Sequence, residues 1–210
     1  MTNPTIVVLA YNRQPSLNNL LNSLSKAEYG VDHVNLVISI DYSGRHDVYN
    51  LAEDFNWEHG EKIIIKHEKN LGLRHHVLYC GDLSLQYDSV IILEDDLLVS
   101  PSFYLYVKAA LEFYKNNSNI AGISLYHHEY NESTELPFEV IDEGYDTYFV
   151  KAPSSWGQLW TAKQWKSFKI WYDIGQQVLD VDFLPDNVIA WPETSWKKHF
   201  YKYLIENNTF

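Results

Sequence analysis

A chain of 210 residues, 46% hydrophobic and 21% charged, suits one folded domain with a real core and excludes disordered and fibrous classes. Its 16 Lys and Arg against 28 Asp and Glu leave a net charge of −12, which argues against non-specific binding to nucleic acid or anionic lipid. No apolar run approaches the ~20 residues of a membrane span, no basic-then-apolar signal follows Met1, and the single Cys80 excludes an internal disulfide framework and favours a reducing compartment.

In chain order, residues 5–10 form a continuous apolar run of strand length, suited to a strand covered on both faces. After Asn12-Arg13-Gln14-Pro15, Leu17, Leu20, Leu21 and Leu24 recur at helical spacing. Residues 34–40 predict a second strand, ending at Asp41-Tyr42-Ser43-Gly44, and residues 62–66 a third. A helix is predicted over 73–85 and a fourth strand over 89–93. Ser100-Pro101 has the cap and first-turn chemistry to open the next helix. Residues 120–125 and 147–150 read as further strands, and 161–172 and 195–205 as helices. Strands alternating with helices imply a mostly parallel sheet with right-handed crossovers, and such sheets bind ligands beyond the carboxyl ends of their strands.

One of those ends carries Glu94-Asp95-Asp96. Three adjacent carboxylates beside an apolar strand repel one another, and burial raises that cost. A hard divalent cation, Mg²⁺ or Mn²⁺, resolves the conflict and completes its shell with water and substrate phosphates. The bland alternative is a solvated acidic turn that caps the following helix.

The segment Val90-Ile91-Ile92-Leu93-Glu94-Asp95-Asp96-Leu97-Leu98-Val99-Ser100-Pro101-Ser102-Phe103-Tyr104 resembles the acidic motif of N-acetylglucosaminyltransferase I and its relatives. Those are nucleotide-sugar-dependent glycosyltransferases of the GT-A fold. The resemblance implies an α/β GT-A-like, Rossmann-like sheet flanked by helices, with a smaller antiparallel acceptor-side portion. It makes Asp96 the metal ligand, and puts Asp95 and Glu94 on the nucleotide sugar. Val7 to Arg13 is similar to the family's first strand, which places Ala10, Tyr11 and Arg13 at the nucleotide. Val37-Ile38-Ser39-Ile40-Asp41 is similar to its second strand, whose terminal Asp faces uracil. Lys151 to Trp160 resembles a Gly-Trp loop on the acceptor side, and Ala190 to Ser195 an Arg-Pro-Glu-x-Ser stretch with Trp191 in place of the arginine. On this resemblance the chain is one domain, 1–210. Residues 1–104 form the nucleotide-sugar half and 105–210 the acceptor half, and the chain reads as truncated at its C-terminus or as part of a larger enzyme.

A diphosphate needs cations, and guanidinium forks suit phosphate oxygens better than lysine point charges. The chain has three arginines. Arg13 and Arg74 are expected at the ligand edge, Arg45 in solvent. His127, His128 and Glu129 are expected along the acceptor side, and His199, among lysines on a helix, as an exposed residue with a metal-ligand role as the alternative. Inverting transfer also needs a carboxylate within ~3 Å of the acceptor hydroxyl. Leu179-Asp180-Val181-Asp182-Phe183 looks like the family's base-bearing stretch, so Asp182 or Asp180 is the candidate, with Asp173 and Glu129 as rivals. The expectation is therefore a Mn²⁺- or Mg²⁺-dependent transferase using a UDP-sugar and a saccharide or glycoconjugate acceptor. It is placed in the cytoplasm, free or peripheral at the inner membrane face. A non-catalytic nucleotide-sugar-binding protein and a sugar-phosphate nucleotidyltransferase are the alternatives. The latter expects a Gly-rich first loop where Tyr11-Asn12-Arg13-Gln14 stands, and neither G-x-G-x-x-G nor a P-loop is present.

Overall fold

Four runs of branched apolar residues form the parallel heart of the fold: β1 (Thr5–Ala10), β2 (Leu36–Ile40), β3 (Lys62–Lys66) and β4 (Ser89–Glu94). A computed structural model describes residues 3–131, 134–176 and 184–210. Two short strands, β5 (Ile123–Ser124) and β6 (Gln158–Thr161), complete a six-stranded sheet in the order β3-β2-β1-β4-β6-β5. β6 runs antiparallel to β4, with Gln158 opposite Ile92 and Trp160 opposite Val90, and β5 runs antiparallel to β6. The expected mostly parallel sheet with a smaller antiparallel part is thus observed.

Side chains alternate across each strand, so the sheet has two apolar faces and helices cover both. Ile6, Val8, Ile38, Ile91 and Leu93 meet α1 (Gln14–Ser25), α2 (Asp47–Asp54) and α5 (Phe103–Tyr114). Val7, Leu9, Val37, Val90 and Ile92 meet α3 (Leu73–Asp82), α6 (Ala162–Trp171) and α8 (Trp196–Glu206). Leu17, Leu20, Leu21 and Leu24 of α1 are fully buried, as their spacing predicts. Among the described residues two short helices remain, α4 (Ser84–Tyr87) and α7 (Asp186–Ile189). A π-helical turn over Tyr172–Gln176 follows α6. Among the described residues no helix is long and apolar enough to cross a membrane.

Several expected boundaries shift for local reasons. The helix predicted over 73–85 breaks at Leu83, which caps α3 and starts α4. Ser100-Pro101 forms the turn before α5 rather than its first residues, with the Ser100 carbonyl accepting from Phe103 N–H and Pro101 O from Glu28 N–H. Of residues 120–125 only Ile123–Ser124 join the sheet, because the backbone of 119–121 pairs with Phe210 instead. The strand expected over 147–150 does not form. Side chains hold that segment: Thr147 Oγ1 lies 2.6 Å from Tyr114 OH, and Phe149 packs on Tyr114 and Phe210. Thr161 caps α6 with a complete capping box, its side chain accepting from Gln164 N–H.

Candidate functional site

From β1 the chain winds to β2 and β3 on one side of the sheet, then crosses back so that β4 pairs with the other side of β1. The loops leaving β1 and β4 therefore part, and a crevice opens at this switch point. Glu94, opposite Leu9 in the ladder, ends β4, and Ala10 ends β1. Asp95 is buried, while the Asp96 side chain is 44% exposed. Across the crevice Tyr11 N–H donates to Asp95 Oδ2 at 3.2 Å. The Arg13 guanidinium donates through Nη2 to Asp95 Oδ1 and through Nη1 to Asp96 Oδ2, the latter at 2.6 Å. One arginine thus grips two of the three acids, and the acids are not dispersed into solvent as a plain acidic turn would be.

This crowding is electrostatically expensive. Burial, and then the neighbouring Asp96 and Asp95 charges, push the Glu94 carboxyl up to about 7, against the pull of Arg13 and Lys197. Burial also raises Asp95, opposed by the Arg13 charge and the Tyr11 amide. Asp96 keeps an exposed carboxylate at the mouth. Among the described residues no three His, Cys, Asp or Glu side chains converge as a protein-only metal cage.

Asp41 follows β2 at the same edge, where its N–H extends the ladder to Ala10 O. Its side chain is buried and accepts from Tyr42 N–H at 2.9 Å, Leu71 N–H at 2.8 Å and Gly72 N–H at 3.1 Å. It therefore ties the end of β2 to the loop that enters α3. Gly72 has φ 73° and ψ 157° there, a conformation that a residue with a Cβ rarely adopts. Beneath Asp41, Ser39 Oγ lies 2.8 Å from His76 Nε2 and 3.1 Å from His67 Nε2. A hydroxyl has one proton, so with neutral rings at most one imidazole accepts from Ser39 and at least one presents Nε2–H to it. Burial lowers His76 to about 4.

The arginines stand where the sequence put them, but Arg13 and Arg74 are bonded to groups of the protein itself. Arg45 pairs in solvent with Asp47, as expected. Arg74 stands at the ligand edge but is turned toward the C-terminal region. Its Nη1 donates to Glu193 O at 2.9 Å and to His199 Nε2 at 3.1 Å. His199 is buried rather than exposed, and burial together with the Arg74 charge lowers it to about 4. Its Nε2 is taken by Arg74, which leaves that nitrogen without a lone pair for a metal. Lys198 and Lys202 are buried beside it, and Lys198 donates to Trp191 O at 3.1 Å and Glu193 Oε1 at 3.2 Å. Lys197, which sequence reasoning left out of the site, lies over the Trp191 ring at 4.5 Å and within electrostatic reach of Glu94. Its signal, a lysine in the first turn of a helix after Ser195, is too common to have found it.

Asp180 and Asp182 lie outside the described residues. Of their rivals, Asp173 is exposed and paired with Lys169 at 3.1 Å. Beside Asp96 a cleft of about 620 Å³ is lined by Leu98, Tyr106, Leu125, Tyr126 and Trp156. Tyr126 and Trp156 meet edge to face at 4.3 Å. His127 and His128 line a neighbouring cavity of about 320 Å³.

The family model for Glycosyl transferase family 2 matches residues 5–167. Among solved structures, Staphylococcus aureus TarS 1-349 in complex with UDP is 17% identical, with a TM-score of 0.45, covering 53% of this chain and 32% of that one. The mannosyltransferase PcManGT from Pyrobaculum calidifontis, in complex with GDP-Man and Mn²⁺, is 17% identical with a TM-score of 0.43, covering 59% of this chain and 35% of that one. The chain thus spans about a third of the length of these structures. Comparison with curated proteins finds no match.

Proposed function

The chain belongs to glycosyl transferase family 2, and from that premise we propose that it transfers a sugar from a UDP-sugar to a saccharide or glycoconjugate acceptor, with a divalent cation and with inversion. The observation that carries this reading is the junction at the switch point, where Arg13 and the Tyr11 amide hold Asp95 and Asp96 at the ends of β1 and β4. A junction of this kind fixes two acids on a rigid sheet edge and leaves one facing a cleft. Ala10, Tyr11, Asp95 and Glu94 then contact the nucleotide sugar. Asp41 holds the β2 loop in place, and the lone pair left on its carboxylate is available to a base N–H.

The donor set fits Mn²⁺ or Mg²⁺ as an ion held by a single carboxylate, Asp96, with water and substrate phosphates filling its shell. When bound, such an ion offsets the negative charge that the leaving phosphate gains, worth several kcal/mol. The protein's own part is to aim Asp96 into the crevice and to keep Asp95 ionised through Arg13.

The cleft beside Asp96 suits the acceptor, because the Tyr126–Trp156 pair offers an apolar ring face to a sugar. Asp182 is proposed as the base, with Asp180 second. A protein that held the nucleotide sugar without turnover would need neither. In an enzyme Asp182→Asn or Asp180→Asn abolishes transfer and leaves UDP binding intact. Calorimetry with UDP, GDP, CDP and CMP tests the donor class. Tightest binding of UDP supports the reading, and equal binding of all four, or of none, contradicts it.

A further inference from the structure

Each arginine of this acidic chain already has a partner. Arg13 is committed to Asp95 and Asp96, Arg45 to Asp47, and Arg74 to Glu193 O and His199. The site meanwhile holds three acids against one guanidinium, so a diphosphate arriving there meets net negative charge. The cation that sequence reasoning sought among the arginines is therefore still to be found on the protein's side.

In a parallel α/β sheet the helix that follows a strand starts at the ligand edge, and α3 follows β3. Arg74, in the first turn of α3, reaches the Glu193 carbonyl and His199, and so brings the first turn of α8 to that edge. Trp196 anchors the same turn from below by packing on Trp160 of β6 at 5.5 Å between ring centroids. Between Trp196 and the buried Lys198 sits Lys197, half-buried. Its ammonium lies over the Trp191 ring at 4.5 Å, a contact that orders the long stem without neutralising the charge. Among the described residues Lys197 makes no ion pair with a carboxylate, whereas Lys198 pairs with Glu193 and Lys202 with Glu206. Its field nevertheless reaches Glu94 in the crevice.

We propose that Lys197, propped on Trp191 in the first turn of α8, is the binding residue for the diphosphate of the nucleotide donor. The inference rests on the nucleotide-sugar reading above and adds to its divalent ion a cation of the protein's own. An ordered ammonium at the rim of an anionic crevice attracts phosphate as a point charge, and little side-chain entropy is left to lose. Trp191 acts as a positioning residue that holds the lysine in reach.

The test separates phosphate from nucleoside. Wild type, Lys197→Gln and Lys197→Arg are titrated with UDP by calorimetry in the presence of Mn²⁺, and with uridine by ligand-observed NMR. Loss of one charge-assisted contact predicts that Lys197→Gln binds UDP about tenfold more weakly and uridine as well as wild type does. Lys197→Arg, which keeps the charge and can stack on Trp191, recovers most of the loss, and Lys197→Met, which keeps the apolar stem without the charge, must reproduce the tenfold loss should the Gln variant fail to fold. The proposal is overturned if Lys197→Gln binds UDP like wild type, or if UDP and uridine weaken by the same factor, which would make Lys197 a prop for the pocket wall. Wild type that binds uridine but gains nothing from the two phosphates also overturns it. Wild type that binds neither ligand overturns the nucleotide reading as well.

Discussion

Substituting Asp41 by Asn tests whether one carboxylate organises the β2 side of the crevice. The wild-type side chain accepts from Tyr42 and Leu71 N–H at Oδ1 and from Gly72 N–H at Oδ2. Asn keeps the first two if its carbonyl oxygen takes the Oδ1 position, but its amide then confronts the Gly72 N–H, donor against donor. One bond to a charged acceptor is lost, about 1.5–3 kcal/mol, and the two that remain lose their charge assistance. Leu71 and Gly72 are half-exposed, so water repairs part of the damage, and the net cost settles near 2 kcal/mol. For a domain of this size each kcal/mol moves Tm by about 2–4 °C, so Asp41→Asn melts roughly 4–8 °C below wild type. Scanning calorimetry measures that shift, and hydrogen exchange locates it: the Leu71 and Gly72 amides exchange faster while those of β1 and β4 do not. A Tm within about 1 °C of wild type, with unchanged exchange at Gly72, refutes the anchoring role.

Packing and burial elsewhere in the fold set further outcomes. A Cβ on Gly81 would stand 2.3 Å from the Trp165 ring, which cannot retreat because Trp165 Nε1 donates to Asp82 Oδ1 at 2.7 Å. Gly81→Ala is therefore destabilising by about 1–3 kcal/mol in urea unfolding despite alanine's better helix propensity, and any stabilisation contradicts that packing. His76 titrates at about 4 in the folded protein and near 6.5 when unfolded, so the unfolded state binds the extra proton between those values. Stability from this group is full above pH 6.5 and drains as pH falls toward 4, by about 3 kcal/mol in all. His76→Gln flattens that part of the stability profile, and an unchanged slope between pH 6.5 and 4 counts against it. Trp156→Ala raises KM for the acceptor and leaves UDP affinity as it was, since Trp156 lines the cleft beyond Asp96; a weakened UDP affinity argues against an acceptor role.

The inner strands were legible because a strand covered on both faces can be apolar at every position. β1 and β3 coincide with their predicted spans, β4 ends one residue later, and β2 begins two residues later. β6 was not read as a strand. Its four residues include only two apolar ones, Leu159 and Trp160, and pairing with β4 and β5, not local pattern, makes it one. α2 escaped for a similar reason, its buried face being little more than Val48 and Ala52.

At the site, the acidic triplet announced itself by placing three charges after an apolar strand. What satisfies it did not, because Arg13 lies 82 and 83 residues away from Asp95 and Asp96. The burial of Lys198, His199 and Lys202 was also invisible, since charged residues on a helix ordinarily face water. These side chains are inside because Glu193, the Trp191 carbonyl, Glu206 and Arg74 supply their partners, and such pairings arise only when the chain has folded.

The proposed function requires a divalent cation at Asp96 if this anionic crevice is to accept another polyanion. UDP titrated calorimetrically into wild type and Asp96→Ala, each with Mn²⁺ and with EDTA, measures that requirement. Wild type binds UDP with Mn²⁺ and loses that binding in EDTA, and Asp96→Ala binds it under neither condition. Equal UDP affinity of the wild type with and without Mn²⁺ would contradict it.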